Sequence, residues 1–461
     1  MPLPFHPGAD RNVASPPGTA PRHDVAALAA ILIGVSLGAL DTAIANTALP
    51  AIAADLHAQP AASIWVVNAY QLAVVATMLP FAALGDLLSP RRVFLYGLAI
   101  FTVASLLCAL AWSIPTLAAA RALQGIGAGG VMSVNIALIQ QIFPPARLGR
   151  GVGLNALVVG MAFALGPTVA SLLLSVGTWH WLFGINVPLG LMALAFAIPS
   201  LPRAETRGHG FDRLTAVLTA VTFAALIFAL GNAAQREAWP LIAGPLLLCL
   251  VAGTLLLRRQ AGHPAPMLPV DLLRRPMFAL SVVTAVASFA AQGLAFVALP
   301  FYFEEVLHRD PVQTGFLMTP WPLVVVLAAP IAGRLSDKHA PGLLGGMGLG
   351  ILSAGMLSLT LMPADPKAGD IVWRMLVCGI GFGFFQSPNL KALMSSAPPG
   401  RSGGASGMVG LARLTGQTLG AALVALCLGL AGVHGSTWAL GLGALFAGVA
   451  SIASFARLRL T

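Results

Sequence analysis

Polar positions are too sparse along this chain for amphipathic periodicity to mark its elements. Long apolar runs alternate instead with short polar breaks. Fourteen runs are long enough to cross the roughly 30 Å hydrocarbon core of a bilayer as helices. Six come first, at 25–54, 63–84, 93–113, 114–141, 151–175 and 182–201. Two follow at 214–233 and 240–257, and six more at 277–302, 314–334, 342–362, 371–393, 404–431 and 436–456. The pattern predicts an all-α polytopic membrane protein with 14 spans. Residues 1–24 are polar and rich in Pro and Gly, the composition of a disordered cytoplasmic tail. The apolar run behind them is too long for a signal peptide, and thirteen more follow it.

Composition agrees: of 461 residues, 57% are hydrophobic and only 9% charged, which excludes an ordinary soluble fold. A net charge of +10 would suggest nucleic acid in a soluble chain. Here the positive charges sort by loop. Nineteen of the 25 Lys and Arg fall in the tails and loops on one side, three on the other, and three (Arg121, Arg374, Arg413) within spans. The positive-inside rule then puts both termini in the cytoplasm of a bacterial inner-membrane protein, with no nucleic-acid partner. Trp65, Trp112, Trp179, Trp181, Trp239, Trp373 and Trp438 fall near the outer ends of spans, as interfacial anchors do. The four cysteines lie inside apolar runs and read as small core residues. Zinc-protease, paired CxxC, phosphate-loop and GxSxG patterns are absent. We expect no enzyme, metal or cofactor, so any pumping is driven by a gradient or a partner.

The chain also repeats itself. PPARLGRGVG at Pro144 matches PPGRSGGASG at Pro398, a shift of 254 residues. The same shift carries Gly125 and Gly127 onto Gly379 and Gly381, Asn135 onto Asn389, and Gly166 onto Gly420. Shifts of 250 and 251 carry Pro50 onto Pro300 and Asp86 onto Asp337. The expected domains are therefore an N-terminal six-helix bundle at 25–201, an inserted two-helix hairpin with linkers at 202–262, and a C-terminal six-helix bundle at 263–461. Parallel repeats place a substrate site between the halves.

Candidate chemistry concentrates in the first half. Asp41 is a lone acid near the middle of a thirty-residue apolar run, where a carboxylate costs on the order of 3 kcal/mol. Such an acid handles protons or cations, or is a structural acid bonded to a neighbouring helix. Its repeat partner is Ala291. Arg121, at similar depth in the fourth span, would tune that acid or compete with substrate for it; the alternative is a snorkelling structural arginine. Gln124 follows in RALQGIGAGG, whose glycines permit close helix contact. Asn46, Tyr70, Gln71 and Gln124 are candidate polar groups of the cavity. Asp86, Arg91 and Arg92 in LGDLLSPRR can lock neighbouring helices on the cytoplasmic face, and Asp337 and Lys338 form a weaker second copy. Gly160, Gly166 and Pro167 give the fifth span a kink and a smooth face.

Five motifs in order, LDTAIANTALP, LGDLLSPRR, RALQGIG, the GP of ALGP, and WHWLFGINVPLG, make the chain resemble the major facilitator superfamily. Within it the chain resembles the fourteen-span drug–proton antiporter branch. The resemblance implies that Asp41 and Arg121 couple protons. It makes Asp86, Arg91 and Arg92 the cytoplasmic gate, and Gly160, Gly166 and Pro167 the antiporter motif. The chain departs from the family pattern at Ala82, Ser89, Ala170-Ser171 and His180. The later spans are also poor in acids, with Glu304 and Glu305 at an outer end. The implied function is proton-coupled export of amphipathic or cationic small molecules by alternating access. In it, ionised Asp41 would hold the cationic part of a substrate, and the protein would work as a monomer in the lipid bilayer. An exporter or importer of a single metabolite is the alternative, which the acid-poor later spans favour. A non-transporting receptor would call for a large soluble domain or long interaction tail.

Overall fold

The structure is a computed structural model that describes residues 21–144, 148–203, 212–234, 238–260, 270–396 and 402–459. Among these residues there are helices and no strands. The first six long helices are α1 (Pro21–Asp55), α2 (Trp65–Leu88), α3 (Pro90–Ala109), α4 (Ile114–Ile142), α5 (Leu148–Val176) and α6 (Asn186–Ser200). Two more, α7 (Arg213–Ala234) and α8 (Trp239–Gln260), form a hairpin. Then come α9 (Pro276–Phe301), α10 (Pro320–Leu335), α11 (Pro341–Thr360), α12 (Ala368–Ser396), α13 (Ser402–Ala431) and α14 (Gly435–Ala456). Helices are the expected solution in lipid, because each backbone N–H and C=O finds its partner within the segment.

Several starts are written in the sequence. Proline opens α3, α9, α10 and α11, at the turn where its missing N–H costs nothing. Ser113 and Thr116 form a capping box on α4, fixing its start two turns before Arg121.

Among the described residues, twelve stretches are long and apolar enough to cross a membrane, against fourteen expected. One of them, Met408–Arg459, is 52 residues long and joins most of α13 to α14. Within α7 the apolar stretch is the shorter Leu214–Leu226. The tail also differs from expectation, because α1 already begins at Pro21. Residues 1–20, parts of the two repeat segments (145–147 and 397–401), and the linkers at 204–211 and 261–269 lie outside the described residues.

Helix packing follows the repeat. In the first half α4 packs on α2 and α3, and α1 on α5 and α6. In the second half α12 packs on α10 and α11, and α9 on α13 and α14. The correspondence reaches single atoms. A Cβ on Gly127 would sit 2.4 Å from the Phe101 nitrogen and 2.6 Å from the Gly97 oxygen. A Cβ on Gly381 would meet the Leu352 nitrogen and Gly348 oxygen at the same two distances. The hairpin packs through α7 against α2 and α13, along the seam between the halves. Much of α8, including Leu247, Leu248 and Leu250, is exposed to what is lipid in a membrane.

Most of the outer tryptophans are exposed, as anchors should be, but Trp179 is not. It is buried and donates to Asp55 at 2.8 Å, pinning the end of α1.

Candidate functional site

Asp41 and Arg121 meet. Both are buried, at 1% and 0% exposure, and Arg121 Nη1 donates to the Asp41 carboxylate. Gln124 Nε2 donates to the other carboxylate oxygen at 2.9 Å, and Asn186 Nδ2 to the same oxygen at 2.8 Å. All three partners donate, the contact set of an ionised carboxylate, which only accepts. Arg121 Nε donates to the Val66 carbonyl at 3.0 Å, and Nη1 also reaches Gln124 Oε1 at 2.6 Å. Gln124 in turn donates to Ser105 Oγ at 2.9 Å. The guanidinium lies 4.1 Å from the centre of the Tyr70 ring and 5.4 Å from that of Phe183. One charge pair thus ties together α1, α2, α3, α4 and α6.

The glycines of RALQGIGAGG make this possible. A Cβ on Gly125 would lie 2.3 Å from the Tyr70 carbonyl oxygen. Only a residue without one lets α2 and α4 approach closely enough for Arg121 to reach Val66 and Asp41.

Beside this network a cavity of about 410 Å³ separates the two halves. That volume suits a drug-sized ligand. Its α1 wall is the stripe Val35, Gly38, Ala39 and Thr42, at helical spacing. Asp41 is one residue off that stripe, rotated by about 100° into the bundle interior. It is therefore not part of the cavity wall, and in this state it cannot touch a substrate's cationic group as the sequence led us to expect. Tyr70 stands between them, lining the cavity while its ring stacks on Arg121.

Of the other cavity candidates, Gln71 lines the cavity beside Tyr70. Gln124 does not, because both ends of its amide are used in the ion-pair network. Asn46 continues the α1 stripe one turn further but is buried in the closed half, with Oδ1 unbonded.

That closure comes from α5 and the segment before α10. Thr168 and Thr319 hydroxyls bond at 2.8 Å across the halves. A Cβ on Gly315 would fall 1.8 Å from Ser171 Oγ and 2.4 Å from the Pro167 oxygen. Gly166 packs on Ala43 of α1 just as tightly, its Cβ position 2.2 Å from the Ala43 Cβ. Gly160, one and a half turns earlier, lines the cavity. The cavity runs from mid-helix toward the α2–α3 loop, past Val152 and Asn155 on one side and Leu393 and Val409 on the other.

At that loop Ser89 has φ 107°, a conformation that favours glycine, while capping α3. Arg91 donates to the Ile198 carbonyl at 2.5 Å, and Arg92 is exposed. The side chain of Asp86 lies outside the described residues. In the second copy Asp337 pairs with Lys391 of α12 at 2.7 Å, whereas Lys338 is an exposed neighbour. Lys391 was not foreseen. Neither were Asn186, although it sits inside a recognised motif, and Arg413, a cation within α13 that lines the cavity.

Residues 31–421 match the family model described as Major Facilitator Superfamily. The chain is 51% identical over 434 residues to the uncharacterized transporter YebQ of Escherichia coli (strain K12), covering 94% of this chain and 95% of that one. It is 30% identical over 405 residues to the tetracenomycin C resistance and export protein of Streptomyces glaucescens, covering 86% and 74%. The fold is similar to that of a bacterial homologue of the human lysosomal transporter Spinster, with a TM-score of 0.68 at 16% identity over 96% of this chain and 98% of that one. A match spanning most of the chain, joined to two packed helical halves around a central cavity, makes this protein a transporter of the major facilitator superfamily.

Proposed function

We propose that the chain is a proton-coupled antiporter that exports amphipathic small molecules across a bacterial cytoplasmic membrane by alternating access. The observation that carries this reading is the ring shared between the buried ion pair and the cavity. Arg121 bonds Asp41 on one side and stacks on Tyr70, a cavity wall, on the other. A proton on Asp41 removes the charge that fixes Arg121, and so frees the Tyr70 wall. A substrate pressing on Tyr70 acts back on the pair. Reciprocal linkage of this kind is what exchange requires. With the α2–α3 loop cytoplasmic, the cavity faces inward and the contact of Pro167 with Gly315 is the outer seal. At a potential of about 100 mV each elementary charge entering supplies roughly 2.3 kcal/mol.

On this reading α1 to α14 are fourteen spans, both termini are cytoplasmic, and the bundles correspond to 25–201 and 263–461 with the 202–262 hairpin between them. The cavity is complete within one chain, which suits a working monomer. Similarity to an export protein favours outward transport. A resistance and accumulation panel in an efflux-deficient bacterial strain, with and without the gene, tests it. At least one amphipathic compound should be extruded, and a protonophore should stop the extrusion. Extrusion indifferent to the protonophore, or net uptake instead, refutes it.

A further inference from the structure

We infer that the central cavity selects amphipathic anions, with Arg413 binding the anionic end; this rests on the transport reading of the same cavity. Among the described lining residues Arg413 is the one side chain with a full charge, and no carboxylate faces the space. Arg413 is twelve residues into α13 and shares the cavity lining with Tyr70 of α2. It makes no hydrogen bond or ion pair among the described residues.

Its neighbours leave that charge uncompensated. The acid at comparable depth, Asp41, is already paired with Arg121. Arg457, buried behind the cavity residue Asn389, donates only to neutral oxygens of Ser281, Asn389 and Ser454. Among the described residues the second half therefore presents two cations to this region and no acid to balance them. An unpaired guanidinium at membrane depth is costly, and a bound anion relieves the cost. A cationic substrate would add to it.

Polar groups without partners also line the space. Gln71, Asn135 and Asn155 line the cavity, are each more than nine-tenths buried, and have an unbonded amide oxygen. A carboxamide carries both a carbonyl acceptor and N–H donors, so these groups can meet polar atoms of a substrate of either sign and leave the choice of charge to Arg413. Phe289, Phe382 and Phe385 of the second half, with Phe163 of α5, supply an aromatic wall. A planar ring system with one carboxylate, sulfonate or phenolate fits this lining: the ring against the phenylalanines, the anion on the guanidinium fork.

The test uses two xanthene dyes of similar ring area and opposite charge, fluorescein and rhodamine 6G. Binding to the full-length protein in nanodiscs is followed by fluorescence anisotropy against empty nanodiscs. Wild type should bind fluorescein the more tightly. Arg413→Gln should weaken fluorescein about ten- to a hundredfold, the loss of one charged hydrogen-bonding group, and spare rhodamine 6G. Arg413→Lys should keep part of the affinity, and Arg413→Glu should reverse the order of the dyes. Equal or tighter rhodamine 6G binding by wild type overturns the inference without any variant. So does an absence of saturable fluorescein binding, or unchanged fluorescein affinity in a folded Arg413→Gln protein. Proton-driven flux in proteoliposomes separates the two levels. Flux of the cationic dye alone removes this inference and leaves the antiporter. Arg413-dependent fluorescein binding without proton-driven flux removes the antiporter and leaves the anion site.

Discussion

Replacing Asp41 with Asn keeps the side-chain volume and removes the charge that Arg121 is buried against. By insertion cost alone the change should help, since a neutral side chain is cheaper in a membrane by about 3 kcal/mol. The pair reverses that sign. Arg121 remains sealed at 0% exposure, and the new amide must turn its NH2 group either toward Arg121 or toward the two donors Gln124 and Asn186. Removing one partner of a buried pair costs about 3–5 kcal/mol. The Val66 carbonyl, Gln124 Oε1 and the Tyr70 ring still support the guanidinium, which places the loss at the low end, about 3 kcal/mol. The double variant Asp41→Asn/Arg121→Gln leaves no orphan charge and should regain about 2 kcal/mol or more of it. Unfolding in detergent can be read by maleimide capture of Cys108 and Cys378, free thiols that are buried in the folded protein. Asp41→Asn should unfold at a lower temperature than wild type, and the double variant between the two. If Asp41→Asn melts at or above wild type, Arg121 does not depend on Asp41 and the reasoning fails.

Ser89→Gly should stabilise the protein by about 1 kcal/mol, because relief of the φ 107° backbone outweighs the few tenths lost from the α3 cap; denaturant titration showing destabilisation contradicts this. Gly315→Ala has no room against Ser171 and Pro167, so it should open the outer seal. An impermeant maleimide should then label a cysteine at Thr319 faster than in the parent, and unchanged labelling would count against that seal. Hydrogen bonds from Arg259, and from Thr215, hold the Asp212 carboxyl well below the usual carboxylate range. The sign follows: its contribution to the α7–α8 hairpin is complete above about pH 4 and is lost as pH falls below that. Hydrogen exchange across Arg213–Ala234, corrected for intrinsic rates, should be flat from pH 5 to 8. A loosening centred near pH 6 would assign the clasp to another group.

The helices and the repeat were legible because lipid enforces long apolar runs and duplicated glycines mark duplicated contacts. The meeting of Asp41 with Arg121 could be anticipated from depth, since two opposite charges at one level in a small bundle find each other. Which face each residue takes was not legible. Without a clear polar stripe on α1, nothing in the sequence distinguishes the cavity side, Thr42, from the bundle side, Asp41. Asn46 has the right face, but its half of the cavity is closed, a matter of state and not of sequence. Gln124 is withheld because the ion pair uses its whole amide. Asn186 could have been suspected as the polar residue in WLFGINVPLG. Arg413 was visible as a cation within a span, yet only the packed halves reveal that it faces the cavity without a carboxylate.

The central claim is that Asp41 carries the exchanged proton. Its most direct test is proton release when a transported compound from the resistance panel is added to purified protein in weak buffer, read with a pH indicator dye over a pH series. Wild type should release protons in a pH-dependent amount. Asp41→Glu should keep the release with a shifted pH dependence, and Asp41→Asn should bind the compound with no release. Equal release from wild type and Asp41→Asn would contradict the account and move the search to Glu304, whose half-buried carboxylate has one oxygen, Oε1, without a partner among the described residues.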